Sequence, residues 1–220
     1  MVVDVGYTGI FYHDPLSHHF LNDSGNCQFQ HWEIKECLDE KTLDEIKEAT
    51  LPQGERTYDG TRAADHTGKG IDGKLRVFIN KDNSNFFPNL TKVIKNLQSN
   101  DTANKISNFL GKNLSDSYVR LEIIADKKGF WLKPHKDIQE KLMTMMIWVN
   151  PYNESKDLGT DFYNDKYEIV KTLEYKHNDG YFFSSGKDTW HGLEKKVIKK
   201  ERRCIQINYV TFKTDWPVNS

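Results

Sequence analysis

The sequence predicts an α+β domain on two observations. Segments with helical spacing of apolar residues lie in the first half, and five short apolar runs, punctuated by Gly, Asn and Asp, follow residue 117. Helices followed by a run of strands favour an antiparallel sheet with helices packed on it, the β part closing as a sandwich or barrel-like sheet. At 220 residues, 37 % of them hydrophobic, the chain makes a single domain that can bury a core without disulfides or structural metal.

The elements follow in chain order. The first 30 residues, rich in His, Asn, Asp and aromatics, show no period and read as an irregular arm. Alternation within Gln28–Cys37 predicts a short strand. Leu43, Ile46 and Ala49 at helical spacing predict a helix over Asp39–Ala49. The polar, Gly-rich stretch Gly54–Gly73, flanked by Arg62 within it and Arg76 beyond it, reads as a loop or a lid over substrate. Leu75–Ile79 is a brief strand. Pro88–Leu97 carries Leu90, Val93, Ile94 and Leu97 on one face, with proline in the first turn where its missing N–H costs nothing. The next helix is expected to be capped by Asp101, to bury Ile106, Phe109 and Leu110, and to end at Gly111. Strands are then expected at Tyr118–Ala125, Leu142–Val149, Tyr167–Leu173, Tyr181–Ser184 and Arg203–Phe212.

Composition narrows the function classes. Thirty-one basic against 32 acidic residues argue against a nucleic-acid partner, which needs a positive field. No run approaches the roughly 20 apolar residues of a membrane span, and the N-terminus lacks a basic segment followed by an apolar one. Cys27, Cys37 and Cys204 form no CxxC pair. The expectation is a cytoplasmic, thiol-containing chain with no membrane association. Composition does not distinguish a monomer from an oligomer.

The chemistry is expected from the histidines. His135-Lys136-Asp137 and His177-Asn178-Asp179 each place an imidazole and a carboxylate on one face of an extended strand, because side chains at i and i+2 point the same way. Asp179-Gly180 reads as a turn, which disfavours the second pair. The first pair has His191 as a distal partner beyond several strands. Two imidazoles and one carboxylate on one face leave half of an octahedron open, the facial arrangement of non-haem Fe(II) oxygenases, although zinc accepts the same donors. His13, His18 and His19 fall in the irregular arm, His31 beside Trp32 in a packed strand, and His66 in the polar loop.

The stretches Leu121–Asp137 (LEIIADKKGFWLKPHKD), Leu158–Tyr163 (LGTDFY) and Phe182–Glu194 (FFSSGKDTWHGLE) resemble the Fe(II)/2-oxoglutarate-dependent dioxygenases, in their prolyl-4-hydroxylase-like branch. The likeness covers residues 118–212. It implies a double-stranded β-helix (jelly-roll) core with supporting helices from the N-terminal half, the whole of 1–220 forming one domain. It also implies Fe(II) held by His135, Asp137 and His191, with 2-oxoglutarate and O₂ as co-substrates. The implied activity is a hydroxylase that couples oxidative decarboxylation of 2-oxoglutarate, to succinate and CO₂, to hydroxylation of an unactivated C–H bond. Peptidyl residues, amino acids and small metabolites stay open as substrates. No catalytic acid or base is required beyond the metal ligands.

The family places a cation for the distal carboxylate of 2-oxoglutarate on its last core strand. Arg202 and Arg203 stand there, and strand alternation sends them to opposite faces. The family pattern Arg-x-Ser favours Arg202, with Cys204 in place of the serine; a thiol is a poor donor, so the hydroxyl contact is lost. Arg203 is the alternative. The neighbouring Lys195, Lys196, Lys199 and Lys200 read as a solvated hairpin. Trp131 and Trp148 are candidates for the pocket wall, with core packing the more common role. Two readings compete with the dioxygenase: a jelly-roll module that binds metal without turnover, and a cupin-like metalloenzyme that uses no keto acid.

Overall fold

The computed structural model describes residues 30–51 and 74–218. Among the described residues, three α-helices form where apolar stripes and caps coincide. Helix α1 (Glu40–Glu48) starts at Asp39, whose Oδ1 accepts from Thr42 N at 2.8 Å, and buries Leu43 and Ile46. Helix α2 (Pro88–Leu97) buries Leu90, Val93, Ile94 and Leu97. The carboxylate of Glu45 on α1 accepts from the N–H groups of Asn89 and Leu90 at 2.9 and 2.8 Å, satisfying two orphan donors of α2 from a neighbouring helix. Helix α3 (Asn100–Leu110) is capped by Ser99 rather than by Asp101. Ser99 takes the extended cap conformation and its Oγ accepts from Thr102 N, while Asp101 sits in the first turn and pairs with Lys105 at 2.6 Å. Gly111 closes the helix at φ 62°, in the left-handed region that suits glycine.

Eleven strands among the described residues build two antiparallel sheets. The strands are β1 (His31–Ile34), β2 (Lys74–Phe78), β3 (Tyr118–Asp126), β4 (Leu132–His135), β5 (Lys141–Val149) and β6 (Asp161–Tyr163), then β7 (Ile169–Thr172), β8 (Gly180–Phe183), β9 (His191–Leu193), β10 (Arg202–Val210) and β11 (Trp216–Pro217). The seven-stranded sheet runs β1-β8-β5-β10-β3-β11, with β2 also paired to β3; the four-stranded sheet runs β4-β9-β6-β7. Mostly antiparallel strands in two facing sheets, with helices on the outside of the larger one, are the double-stranded β-helix the family resemblance implied. The larger sheet also recruits β1 and β2, so it reaches outside residues 118–212.

Alternation along β10 sorts its residues between two cores. Ile205, Ile207 and Tyr209 join Leu90, Ile94, Leu97 and Ile106 under the helices, where the Tyr209 hydroxyl donates to Leu97 O at 2.6 Å. Cys204 faces the other way, into a second apolar cluster with Trp148, Phe162, Tyr181 and Phe183 between the sheets. Burying apolar groups on both faces of β10 removes them from water at about 25 cal/mol per Å². No described helix is long and apolar enough to cross a membrane.

Candidate metal centre

The pairing of β4 with β9 sets His135 opposite His191. The close approach depends on Gly192, where a Cβ would lie 2.5 Å from the Leu132 carbonyl oxygen. The rings stand 4.3 Å apart, centroid to centroid. His135 Nδ1 lies 3.1 Å from Lys133 O and His191 Nδ1 lies 2.9 Å from Thr189 O. A carbonyl only accepts, so each Nδ1 carries the proton and each Nε2 keeps its lone pair. Asp137 lies two residues past His135, the last residue of β4. Its Oδ1 accepts from Lys141 Nζ at 2.5 Å and its Oδ2 from Thr144 Oγ1 at 2.6 Å. Ligand atoms of His135, Asp137 and His191 all lie within 4.8 Å of one another.

Electrostatics prepare these three groups. Burial, with His191 alongside, pushes His135 down to about 3, and burial also lowers His191, so both rings are neutral at neutral pH. Burial alone would raise Asp137, but the Lys141 ammonium and the hydrogen bonds from Lys141 and Thr144 outweigh it and hold the carboxyl well below its usual range. Two neutral imidazoles and one carboxylate form a donor set that suits a divalent transition metal.

The three side chains line a cavity of about 290 Å³ together with Met146, Thr160, Tyr181 and Arg202. Arg202 is buried and donates from Nη1 to Asp126 Oδ2 at 2.6 Å, from Nη2 to Gly159 O at 3.0 Å, and from Nε to Leu158 O. Arg203 points to the opposite face. Its Nη1 donates to the carbonyls of Ile46, Lys47 and Ala49 at 2.8, 2.7 and 3.1 Å, capping the C-terminal end of α1, while its Nε meets Glu201. Arg203 therefore stands away from the cavity. Cys204 points inward, and burial pushes its thiol up to about 12.

Other sequence candidates separate in the same way. His177 Nδ1 accepts from Asn150 N at 3.3 Å, and Asn178 takes φ 62°, so His177 and Asp179 flank a turn and do not join the triad. His31 is buried against the Phe162 ring at 4.8 Å. Trp148 is core, and Trp131 carries Lys195 over its ring at 5.0 Å. Arg76 lines the cavity. Gly54–Gly73 with Arg62 and His66, the arm with His13, His18 and His19, and Cys27 lie outside the described residues.

Sequence reasoning missed Asp126, Arg120, Lys141 and Thr144. A signal existed for two of them. Arg120, Glu122 and Asp126, interrupted by Ile124, alternate with Val119, Leu121, Ile123 and Ala125, which marks a largely polar face on an otherwise apolar strand. Lys141 and Thr144 reach Asp137 across a turn, a relation with no sequence period.

No protein-family model matches the chain, and no curated relative matches it. Solved structures do share its fold. A prolyl 4-hydroxylase from Pseudomonas putida superposes with a TM-score of 0.57 at 11 % identity, over 84 % of this chain and 94 % of that one. A Trichoplax adhaerens prolyl hydroxylase, in complex with a peptide fragment of hypoxia inducible factor, gives 0.57 at 16 % identity over 82 and 83 %. A prolyl 4-hydroxylase from Phytophthora capsici gives 0.55 at 15 % identity, over 85 % of this chain and 60 % of that one. At these identities the likeness is one of fold.

Proposed function

We propose that the chain is a non-haem iron oxygenase that couples oxidative decarboxylation of 2-oxoglutarate to hydroxylation of an unactivated C–H bond. The observation that carries this reading is the convergence of ligand atoms from two imidazoles and one carboxylate within 4.8 Å, in a cavity that also holds a buried arginine. His135, Asp137 and His191 would hold Fe(II), which when bound supplies the activation of O₂ and the cleavage of the keto acid. The Lys133 and Thr189 carbonyls fix the two rings, and Lys141 and Thr144 keep Asp137 ionised and turned inward. Arg202 would receive the distal carboxylate of 2-oxoglutarate; a guanidinium has five N–H groups, and its three bonds to Leu158, Asp126 and Gly159 leave two.

Peptidyl residues stay open as substrates beside amino acids and small metabolites, a reading supported by the peptide bound to one prolyl hydroxylase of the same fold. One observation favours a second reading, a metal-binding module that takes no keto acid: Asp126 already neutralises Arg202. An assay of Fe(II)-dependent succinate formation from 2-oxoglutarate, run beside a direct measurement of metal binding, separates the two. Succinate that vanishes with a chelator is the expected result. Metal binding without succinate overturns the oxygenase reading and leaves the second.

A further inference from the structure

Asn208 is fully buried on β10, on the same face as Arg202, and no step of the proposed reaction uses it. It lies directly opposite Arg120 of β3 on one side and Thr144 of β5 on the other, so the three side chains form one row across adjacent strands. A carboxamide buried in a sheet is costly unless each of its polar groups is bonded. Here each is. Oδ1 accepts from Arg120 Nη2 at 2.8 Å, and Nδ2 donates to Met143 O at 3.2 Å and to Thr144 Oγ1 at 2.9 Å.

The chemistry of these partners fixes the direction in which the row runs. A guanidinium only donates and a carbonyl only accepts, so the amide has one orientation, with its oxygen toward Arg120 and its nitrogen toward Met143 and Thr144. The Thr144 hydroxyl therefore receives a proton from Asn208, and its own proton goes to Asp137 Oδ2, 2.6 Å away. Oδ2 is also the oxygen that faces His191, 4.0 Å from its Nε2, whereas Oδ1 is engaged by the Lys141 ammonium. A carboxylate oxygen has two lone pairs, so Oδ2 can accept from Thr144 and still offer a pair to a metal. One oxygen and two imidazole nitrogens take three positions of an octahedron. A carboxylate bound through both oxygens would take a fourth and leave too few for a chelating keto acid and O₂ together.

Resting on the metal centre of the oxygenase reading, we infer that Asn208 is a positioning residue of that centre. By donating to Thr144 it commits the threonine proton to Asp137, and so sets the carboxylate to bind through Oδ2 alone. Asn208 acts through Thr144 and not by contact with metal or substrate.

The test is a double-mutant cycle on the full chain, read as Co(II) affinity in a titration followed by the visible absorption of the bound ion. Asn208→Asp keeps the shape and the contact with Arg120 but replaces the N–H donor by an acceptor, which turns the threonine proton toward position 208. With Asn208 in place, Thr144→Val is expected to weaken Co(II) binding about tenfold. In the Asn208→Asp background the same change is expected to cost less than about twofold, because the hydroxyl no longer serves Asp137. The added carboxylate is present in both members of that comparison and cancels. The absorption bands of Asn208→Asp are expected to shift in the direction that Thr144→Val shifts them. A loss on Thr144→Val that is equally large in both backgrounds overturns the inference, since a merely structural asparagine would leave the threonine its full effect. Neutron diffraction of the unaltered chain decides the matter where the aspartate variant does not fold. Deuterium on Thr144 Oγ1 directed at Asp137 is expected there, and deuterium directed at Asn208 overturns the inference. Absence of Co(II) binding by the unaltered chain counts against the oxygenase reading alone, and the deuterium positions in the metal-free chain then decide the inference.

Discussion

The two sheets differ in how they are held together. The larger is built on nine-residue strands, β3, β5 and β10, paired along their length with a single register shift, near the end of β10 at Tyr209/Val210, and apolar on the face beneath the helices. The smaller is built on strands of three or four residues, with register shifts at Leu132/His135 and Phe162/Tyr163 and with Ile169 of β7 exposed. Yet the smaller sheet carries both histidines. Short ladders fix a side chain poorly on their own, and here the supporting contacts to Asp137 come from the larger sheet: Lys141 and Thr144 on β5, with Asn208 of β10 behind Thr144. The centre is therefore a joint, with ligands supplied by the weaker sheet and rigidity by the stronger one.

That contrast can be broken experimentally. The largest expected effect is on chemistry: His191→Ala should lower Fe(II)-dependent succinate formation by at least about 100-fold, more than loss of a supporting residue would, while urea denaturation shifts little. Loss of a supporting contact from the larger sheet, in Thr144→Val, should weaken Fe(II) binding by roughly tenfold in a metal titration. An unchanged affinity would show that the smaller sheet orients its ligands unaided.

Stability should follow the opposite pattern. Arg202→Met leaves the fully buried Asp126 with only the more distant Lys74 ammonium, at 3.9 Å, and is expected to cost about 3 kcal/mol by urea unfolding. Ile205→Ala opens a cavity beneath the helices and should cost about 2–5 kcal/mol. Ile169→Ala on the exposed strand of the smaller sheet should cost under about 0.5 kcal/mol. Comparable costs for the last two would dissolve the distinction between the sheets.

A pH scan sharpens the same point within the larger sheet. Burial alone would raise the Glu122 carboxyl, but Arg76, Arg120 and Lys74 outweigh it and hold it below its ordinary 4.5. A depressed folded value means the stabilisation is complete above 4.5 and is lost progressively as pH falls toward the lower folded value. Urea midpoints should therefore drop below that point, and Glu122→Gln should flatten this part of the profile while lowering the midpoint at neutral pH.

Long periodic elements were legible in the sequence. Helix α2 has the bounds its apolar stripe and its proline indicate, and β3, β5 and β10 begin and end within a residue or two of their apolar runs. The cap of α3 was misplaced because Ser99 and Asp101 both suit an N-terminus, and a propensity does not choose between candidates two residues apart. Strands β4, β6 and β9 carried no periodic signal, since three or four residues contain barely one repeat of a two-residue period. Their trace lay in the spacing of His135, Asp137 and His191 and in the motif around Gly159.

What the chain determines locally is chemistry and alternation. It sets an imidazole and a carboxylate two residues apart, and it sends Arg202 and Arg203 to opposite faces of one strand. Which face meets the cavity and which meets the end of α1 is decided by distant segments, because the alternation of side chains is indifferent to what covers each side. The pairing of Asp126 with Arg202 and the chain from Arg120 through Asn208 and Thr144 to Asp137 likewise exist only once the strands are laid side by side. Hydrogen bonds between residues so far apart in sequence have no local pattern to announce them.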